Sequence, residues 1–149
     1  MDLIHGEIVK SALGAEIMRA FPGVTWYKER VINLRFPHFF VHQLTLDTIE
    51  NRRGFWWLNY FINIRYRVAA EPDNVTNIQE QLDNVGLQIL SNIKSITVSG
   101  LTKKLQSPRY EKVDGVLHYF CNITLQATEE EAEAVLQQQL ELNQTLKGG

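Results

Sequence analysis

The chain has 149 residues, of which 44% are hydrophobic and 21% are charged, the balance of an ordinary soluble domain. Its formal charge of -2 excludes the overall basic excess that would point to nucleic acid or to an anionic membrane surface. A single cysteine, Cys121, excludes an intrachain disulfide and a multi-cysteine zinc site.

One domain over residues 1–149 is the expectation for this length, which is sufficient for a substantial core and shows no repeat or linker. The N-terminus starts acidic and lacks the apolar segment of a signal peptide. No apolar run approaches the roughly 20 residues that are needed to span a bilayer. We therefore expect a protein that is made and folds in a cytoplasm and has no membrane partner.

Helix one is predicted over about residues 3–21, because apolar side chains recur there at helical spacing. Its stripe consists of Ile4, Ile8, Ala12, Leu13, Ala15, Ile17 and Phe21. Pro22-Gly23 ends the helix, since proline cannot continue it and glycine accepts the turn. A short strand over residues 24–28 follows.

A long β-hairpin is predicted next, with strands over about residues 38–50 and 55–68 and a turn at residues 51–54. In the second strand the even positions from Trp56 to Val68 are all apolar, so this row must face a core. The odd positions mix aromatics, amides and cations, a composition that is typical of protein interfaces. They are Phe55, Trp57, Asn59, Phe61, Asn63, Arg65 and Arg67.

Helix two is the clearest amphipathic pattern, with a capping box at residues 76–79 and one face made of Ile78, Leu82, Val85, Ile89 and Ile93. Gly86 in its middle either permits close approach to the sheet or merely costs about 1 kcal/mol of helix propensity. A second hairpin is predicted over residues 96–127, with a polar loop at residues 106–115. A second capping box at residues 128–131 then opens helix three, which runs to about residue 146.

These elements predict an α+β fold with a mostly antiparallel sheet of four or five strands and long hairpins. Helices one and two should pack on the face that carries the even row of the 55–68 strand. The pattern does not place the C-terminal helix three, which could either form a separate surface or cover the odd row.

Catalytic patterns are missing from the sequence, so we predict no enzyme and no catalytic, cofactor-binding or metal-ligating residue. His38 and His42 would lie about 13 Å apart in a strand and cannot share a metal by themselves. His5 and His118 are likewise expected to be ordinary surface or hydrogen-bonded histidines. Cys121 falls in a core-facing row and should behave as a small hydrophobe.

The order of several segments carries a family resemblance. These are Phe21-Pro22-Gly23-Val24, Phe36-Pro37-His38-Phe39-Phe40, the strand ending in residues 60–66, helix two with Leu82 and Leu90, and residues 112–120. Over about residues 3–127 the chain resembles the tail terminator proteins of phages and prophages of Gram-positive bacteria, which also occur in phage-derived contractile particles. Helix three lies beyond the matched part.

This resemblance implies a virion protein at the tail–neck junction, made in the host bacterial cytoplasm. It implies a hexameric ring that caps the tail tube, stops its polymerisation and presents a surface to the neck and head. In a contractile tail the ring would also meet the sheath protein. DNA would pass through the lumen without sequence-specific contacts, and no cofactor is implied.

The residues that we expect to serve this role fall in two groups. The candidate subunit interface consists of Phe55, Trp57, Phe61, Arg65 and Arg67. The candidate contacts to the tube or lumen are Arg52, Arg53, Lys103, Lys104 and Arg109, although solvated turns would explain the same charges. Two alternatives stay open: another head–tail joining or neck protein of a phage, and a small-molecule-binding α+β domain with a concave apolar pocket.

Overall fold

The computed structural model of the protein describes residues 5–52 and 54–148, and gives the backbone alone at positions 5, 51, 52, 129, 130 and 142–148. Leu3 and Ile4 of the predicted helix one, and Arg53 of the predicted turn, lie outside the described residues. The helices are α1 (His5–Ala20), α2 (Ile78–Asn92) and α3 (Glu129–Gly148), with a short 3-10 turn at Pro72–Asn74. The strands are β1 (Thr25–Tyr27), β2 (His38–Arg52), β3 (Phe55–Arg67), β4 (Ser95–Val98), β5 (Leu101–Lys104), β6 (Gln106–Val113) and β7 (Val116–Thr128).

The main sheet has five strands in the order β1-β2-β3-β7-β6. Only the β1–β2 pair is parallel, and the remaining neighbours are antiparallel. Strands β4 and β5 form a separate two-stranded sheet. The predicted α+β architecture with a mostly antiparallel sheet and long hairpins is therefore confirmed.

The core lies on the face of β3 that carries its even positions, and Leu58, Tyr60, Ile62 and Ile64 are at most 1% exposed. Helix α1 packs there through buried side chains spaced four apart, as a helical stripe requires. These are Val9, Leu13, Ile17 and Phe21. Val9 belongs to this stripe and was not predicted, whereas the predicted member Ala15 is exposed.

Helix α2 packs on the same face of the sheet, with Leu82, Gly86 and Ile89 buried. A Cβ added at Gly86 would lie 2.9 Å from the ring of Tyr110 on β6, so the missing side chain lets the helix approach the sheet closely. The predicted capping box at residues 76–79 is wrong. The residue before the helix is Asn77 in the left-handed conformation, without a side-chain cap.

The region after α2 differs from the prediction of one hairpin with a mobile polar loop. Residues 95–104 form their own small hairpin, and the predicted loop contains strand β6, which pairs with β7. Asp114 and Gly115, both with positive φ, make the two-residue turn between them. The prediction failed because β6 is an edge strand whose side chains are mostly exposed, so it lacks the apolar alternation of an inner strand.

Helix α3 begins as predicted at a Thr128 cap, whose hydroxyl accepts a hydrogen bond from the backbone amide of Glu131 (3.3 Å). Ala132 and Val135 of this helix belong to the buried core. Gln139 accepts a hydrogen bond from Gln43 (3.1 Å), a β2 residue opposite Ile62 and therefore on the core face. The hypothesis that α3 covers the odd row of β3 is therefore wrong, because the helix lies on the other side of the sheet.

No helix among the described residues combines the length and the apolar character that crossing a membrane requires.

Candidate interface on the open face of the sheet

The face of the main sheet opposite the three helices is the candidate site, and we call it the open face. It carries the odd positions of β3 together with their neighbours on β2, β7 and β6, which the strand register places on the same side. A bulge at Leu44 of β2 shifts the pairing by one residue, so that Gln43 pairs with Ile62 and Thr45 with Phe61. Even-numbered residues of β2 before the bulge and odd-numbered residues after it therefore lie on the open face. Members beyond β3 include Phe40, His42, Thr45, Asp47, Ile49, Gln106, Arg109, Glu111, His118, Phe120, Asn122, Thr124 and Gln126.

At one end of this face arginines stack on aromatic rings. The Arg65 guanidinium lies 5.0 Å from the ring centroid of Phe40, and that of Arg109 lies 4.4 Å from the ring centroid of Phe120. Arg67 lies 5.5 Å from the ring centroid of Phe36, in the segment between β1 and β2 that reaches this edge. Each pair is within the range of a cation–π attraction, so the rings hold the cations in place along the sheet.

These arginines have no acidic partner of their own. In the described part of the chain no carboxylate lies within 4 Å of Arg65, Arg67 or Arg109, although four ion pairs occur elsewhere. The Nε atoms of Arg65 and Arg67 are buried without a hydrogen-bond partner. Desolvation lowers the pKa of Arg65, and the positive charges of Arg67 and Arg30 lower it further. This end of the open face is thus a partly desolvated cation cluster whose arginines form no ion pair in the described part of the chain, with Glu111 as an acidic side chain on the same face.

Histidines flank the cation cluster. The His118 ring is stacked beside Phe120, with centroids 6.2 Å apart and planes at 12°. Desolvation lowers the pKa of His118, Arg65 lowers it further, and Glu111 opposes the shift. His38 is buried and its Nδ1 lies 3.0 Å from the Arg35 carbonyl, as expected for a hydrogen-bonded histidine. These shifts favour neutral imidazoles beside the arginines.

The middle of the open face is a hydrogen-bonded amide cluster. Asn122 donates to the side-chain oxygens of Asn59 (3.1 Å) and Gln106 (3.0 Å). The Thr124 hydroxyl lies 3.2 Å from the same two oxygens and can donate to either. Asn63 is buried and donates to the Tyr119 carbonyl (3.3 Å). Because these side chains bond to one another across three strands, they fix a polar surface in the middle of the open face.

The far end of the open face is apolar and exposed. Phe55 is 44% exposed and Ile49 is 59% exposed, while Trp57 between them is half-buried. Ile49 and Trp57 are direct cross-strand partners. Solvated aromatic and aliphatic side chains at one end of a face and arginines at the other are a combination that protein interfaces favour.

The structure places the predicted interface residues Phe55, Trp57, Phe61, Arg65 and Arg67 on this one face. It does not gather the predicted basic contacts. Lys103 and Lys104 are on β5 of the small sheet, and Arg109 belongs to the cation cluster. The strand register separates Arg52 from Arg109 by eight residues along β7, about 26 Å at the rise of a strand. The Arg52 side chain and all of Arg53 are outside the described part.

Sequence reasoning missed the rings on which the arginines stack, Phe40 and Phe120. Each is in a period-two pattern with histidine, as in Phe40-Val41-His42 and His118-Tyr119-Phe120. The registers that bring these rings beside Arg65 and Arg109 depend on two register shifts in β2 and on an edge strand without an apolar pattern. The alternation of phenylalanine with histidine is visible in the sequence, but the arginines that these rings meet depend on how the strands pair.

Within the described residues there is no group of three His, Cys, Asp or Glu side chains that could hold a metal ion. Cys121 is buried in the core, which raises the pKa of its thiol to about 12 and keeps it protonated. Its predicted role as a small buried hydrophobe is consistent with this placement.

Comparison with known proteins gives one informative match. A family model described as phage tail terminator protein matches residues 8–135. No curated protein matches the chain significantly. One solved structure aligns with 83% of this chain and 95% of its own, at 7% sequence identity and a TM-score of 0.37, which is only a loose likeness.

Proposed function

Because the chain belongs to the phage tail terminator family and is thus a structural component of the phage tail, we propose that it forms a ring of six copies that caps the tail tube. The ring stops polymerisation of the tube, and of the sheath in a contractile tail, and joins the tail to the neck and head. Its place in the virion is the tail–neck junction.

The observation that carries this proposal is the open face. In an antiparallel sheet one face normally packs on the core, and the other face carries polar side chains in contact with water. Here the second face presents half-exposed aromatics and arginines that form no ion pair in the described part of the chain. That surface supports a protein contact, and a ring requires one such contact between each pair of neighbouring subunits.

The family match favours a terminator over another head–tail joining or neck protein, because it covers residues 8–135. A small-molecule-binding domain would instead need a concave apolar pocket with a few convergent polar groups.

The experiment that tests the proposal is tube assembly in the presence of this chain. Purified tube protein from the same phage should polymerise into long tubes alone and into short tubes, each capped by a ring, when the chain is added. Tube length is measured by negative-stain electron microscopy, and the mass of the chain by analytical ultracentrifugation with and without tube protein. Tubes that grow equally long, together with a chain that stays monomeric beside them, would exclude the proposed function.

A further inference from the structure

The odd row of β3 is complementary to itself when its direction is reversed. In sequence the row consists of Phe55, Trp57, Asn59, Phe61, Asn63, Arg65 and Arg67. Phe61 is the middle member, with two aromatic side chains beyond it on one side and two arginines at equal distances on the other. When a second copy of the row is laid on the first in the reverse direction, Trp57 falls opposite Arg65. Phe55 falls opposite Arg67, and the two Phe61 rings meet at the centre.

The arginines are arranged so that each can take a second aromatic ring. The ring of Phe40 holds the guanidinium of Arg65 at 5.0 Å, and the ring of Phe36 holds that of Arg67 at 5.5 Å. A guanidinium is planar, so a ring on one side leaves its other side for a ring from another molecule. Tryptophan is the strongest cation–π partner, and Trp57 is only half-buried in the subunit.

The neighbouring strand β2 follows the same symmetry. Ile49 is the cross-strand partner of Trp57, and Phe40 is that of Arg65. Reversal about Phe61 therefore brings Ile49, which is 59% exposed, onto the half-buried Phe40 of the second copy. Each half of the contact thus joins an apolar pair to a cation–π pair, and the two halves are identical.

Charge favours the reversed direction over the parallel one. Two open faces packed with their strands in the same direction would place Arg65 on Arg65, whereas reversal separates these two side chains by about 26 Å at the rise of a strand. That separation exceeds the Debye length of about 8 Å at physiological ionic strength. Arg109 and Glu111 are on β6, which pairs with β7 only along the arginine half of the face. The reversed copy has no strand opposite them, so both stay at the solvated rim.

The size of the open face suits a reversible contact between two copies. Strand β3 has 13 residues, so the odd row extends about 40 Å, and β2, β3 and β7 together are about 14 Å wide. Pairing would cover about 600 Å² of each copy, or about 1,200 Å² in all, which is the lower limit of specific protein interfaces. Sheets that pack face to face with nearly aligned strands are a common arrangement.

We infer that two copies of the free chain pair through their open faces, about a twofold axis that passes at Phe61 and runs across the strands. Such a contact is isologous and closes with two copies, so the pair cannot grow further. The pair does not depend on the ring. Its consequence rests on the proposed function: pairing hides the face that serves as the ring contact, and the chain stays dimeric until the tail tube favours the ring.

The first test locates the twofold axis by chemical cross-linking of full-length variants. Thr45 is exposed and pairs with Phe61, so Thr45→Cys should meet its own copy, and a short bismaleimide should join the two chains. Gln126→Cys is the matched control on the same face. Gln126 lies four residues along β7 from the axis, so its two copies are about 26 Å apart and should stay separate. The wild-type chain, whose Cys121 is buried, gives the background.

The second test measures sedimentation of the full-length chain without tube protein, where the wild type should show a monomer–dimer equilibrium. Trp57→Arg sets two cations against each other twice in every pair, so the dissociation constant should rise about tenfold or more. Adding Arg65→Glu sets a carboxylate against the new arginine and should restore pairing. The two positions are about 26 Å apart within one chain, so the rescue requires a second copy.

Leu87→Arg is the control for the second test, because Leu87 is 55% exposed on α2, away from the open face. It should pair like the wild-type chain. Circular dichroism checks that each variant is folded, and if the double variant fails to fold, cross-linking alone decides.

Three outcomes would overturn the inference. They are a wild-type chain that is monomeric or already a ring without tube protein, cross-linking of Gln126→Cys as readily as of Thr45→Cys, and a folded double variant that does not regain pairing. All three leave tube capping untouched, since capping is measured with tube protein present. Conversely, tubes that grow uncapped beside a chain that pairs as described would overturn only the proposed function.

Discussion

The two faces of β3 share one backbone and differ in what covers them. On the core face Leu58, Tyr60, Ile62 and Ile64 are closed off by α1, α2 and α3. On the open face the arginines stack on rings and the amides bond to one another, yet aromatic surface still reaches solvent. The difference indicates that one face stabilises the subunit, while the other is organised for contact with a second protein.

The largest expected effect comes from removing side-chain volume on the core face. Ile62→Ala should lower the free energy of unfolding by about 2–5 kcal/mol, because it removes a fully buried side chain and leaves a cavity. Phe61→Ala, one residue away on the open face, is the matched control and should cost about 1 kcal/mol. Chemical denaturation of monomeric protein measures both. Equal costs would show that the two faces are buried alike.

Gly86→Ala tests how closely α2 sits on the core face. The new Cβ would lie 2.9 Å from the Tyr110 ring, so the helix or the ring must shift, which outweighs the gain of about 1 kcal/mol in helix propensity. We expect a net loss of about 1 kcal/mol in unfolding free energy. Because Asp83 bonds to Tyr110 and Lys112, the shift should also disturb this ion pair. A stabilised variant would show that the contact is loose.

Trp57→Glu tests the open face with a smaller effect on the fold. The free energy of unfolding of the monomer should fall by about 1 kcal/mol, because Trp57 is only half-buried on its strand, while ring assembly is lost. Thermal denaturation and ultracentrifugation on the same sample separate these two results. A large loss of monomer stability without any change in assembly would mean that the odd row serves the core.

The smallest expected effect is a pH dependence at the edge of the cation cluster. Desolvation, and then Arg65, holds the pKa of His118 below its usual 6.5. The unfolded chain therefore takes up the proton first, and the stabilising contribution, complete above pH 6.5, is lost as pH falls through the pKa of the folded state. His118→Gln should flatten the decline of the denaturation midpoint below pH 6.5. An equal decline in the variant would show that other groups cause it. His42, whose pKa is lowered as well, is the first alternative.

The parts of the fold that were predictable are those in which one face is buried. The alternation in β3 and β7 and the apolar stripe of α2 are strong because each element packs one side against the core. Edge strand β6 has no such pattern, so its polar sequence with Pro108 predicts a loop. The predicted start of α2 is wrong because Asn77 adopts the left-handed conformation that asparagine tolerates, in place of a hydroxyl cap.

The candidate site was predictable in part for the same reason. The odd row of β3 was identified from its mixed composition, which a single strand displays in full. The cation–π contacts of the site involve Phe40, Phe120 and Arg109, which come from three other strands. The predicted group of basic contacts was not assembled by the fold, and its role at the tube stays a prediction.

The sequence by itself determined the amphipathic elements, their strand or helix type and the two-sided character of β3, because these depend on side chains a few positions apart. Only the tertiary structure decided that α3 lies on the core face and leaves the odd row open. The placement of α3 depends on the burial of Ala132 and Val135 in the core and on the hydrogen bond between Gln43 and Gln139. These are contacts between residues that are distant in the chain. With α3 on that side, Leu136 and Leu140 are exposed to solvent, and the arginines of the open face form no ion pair in the described part of the chain.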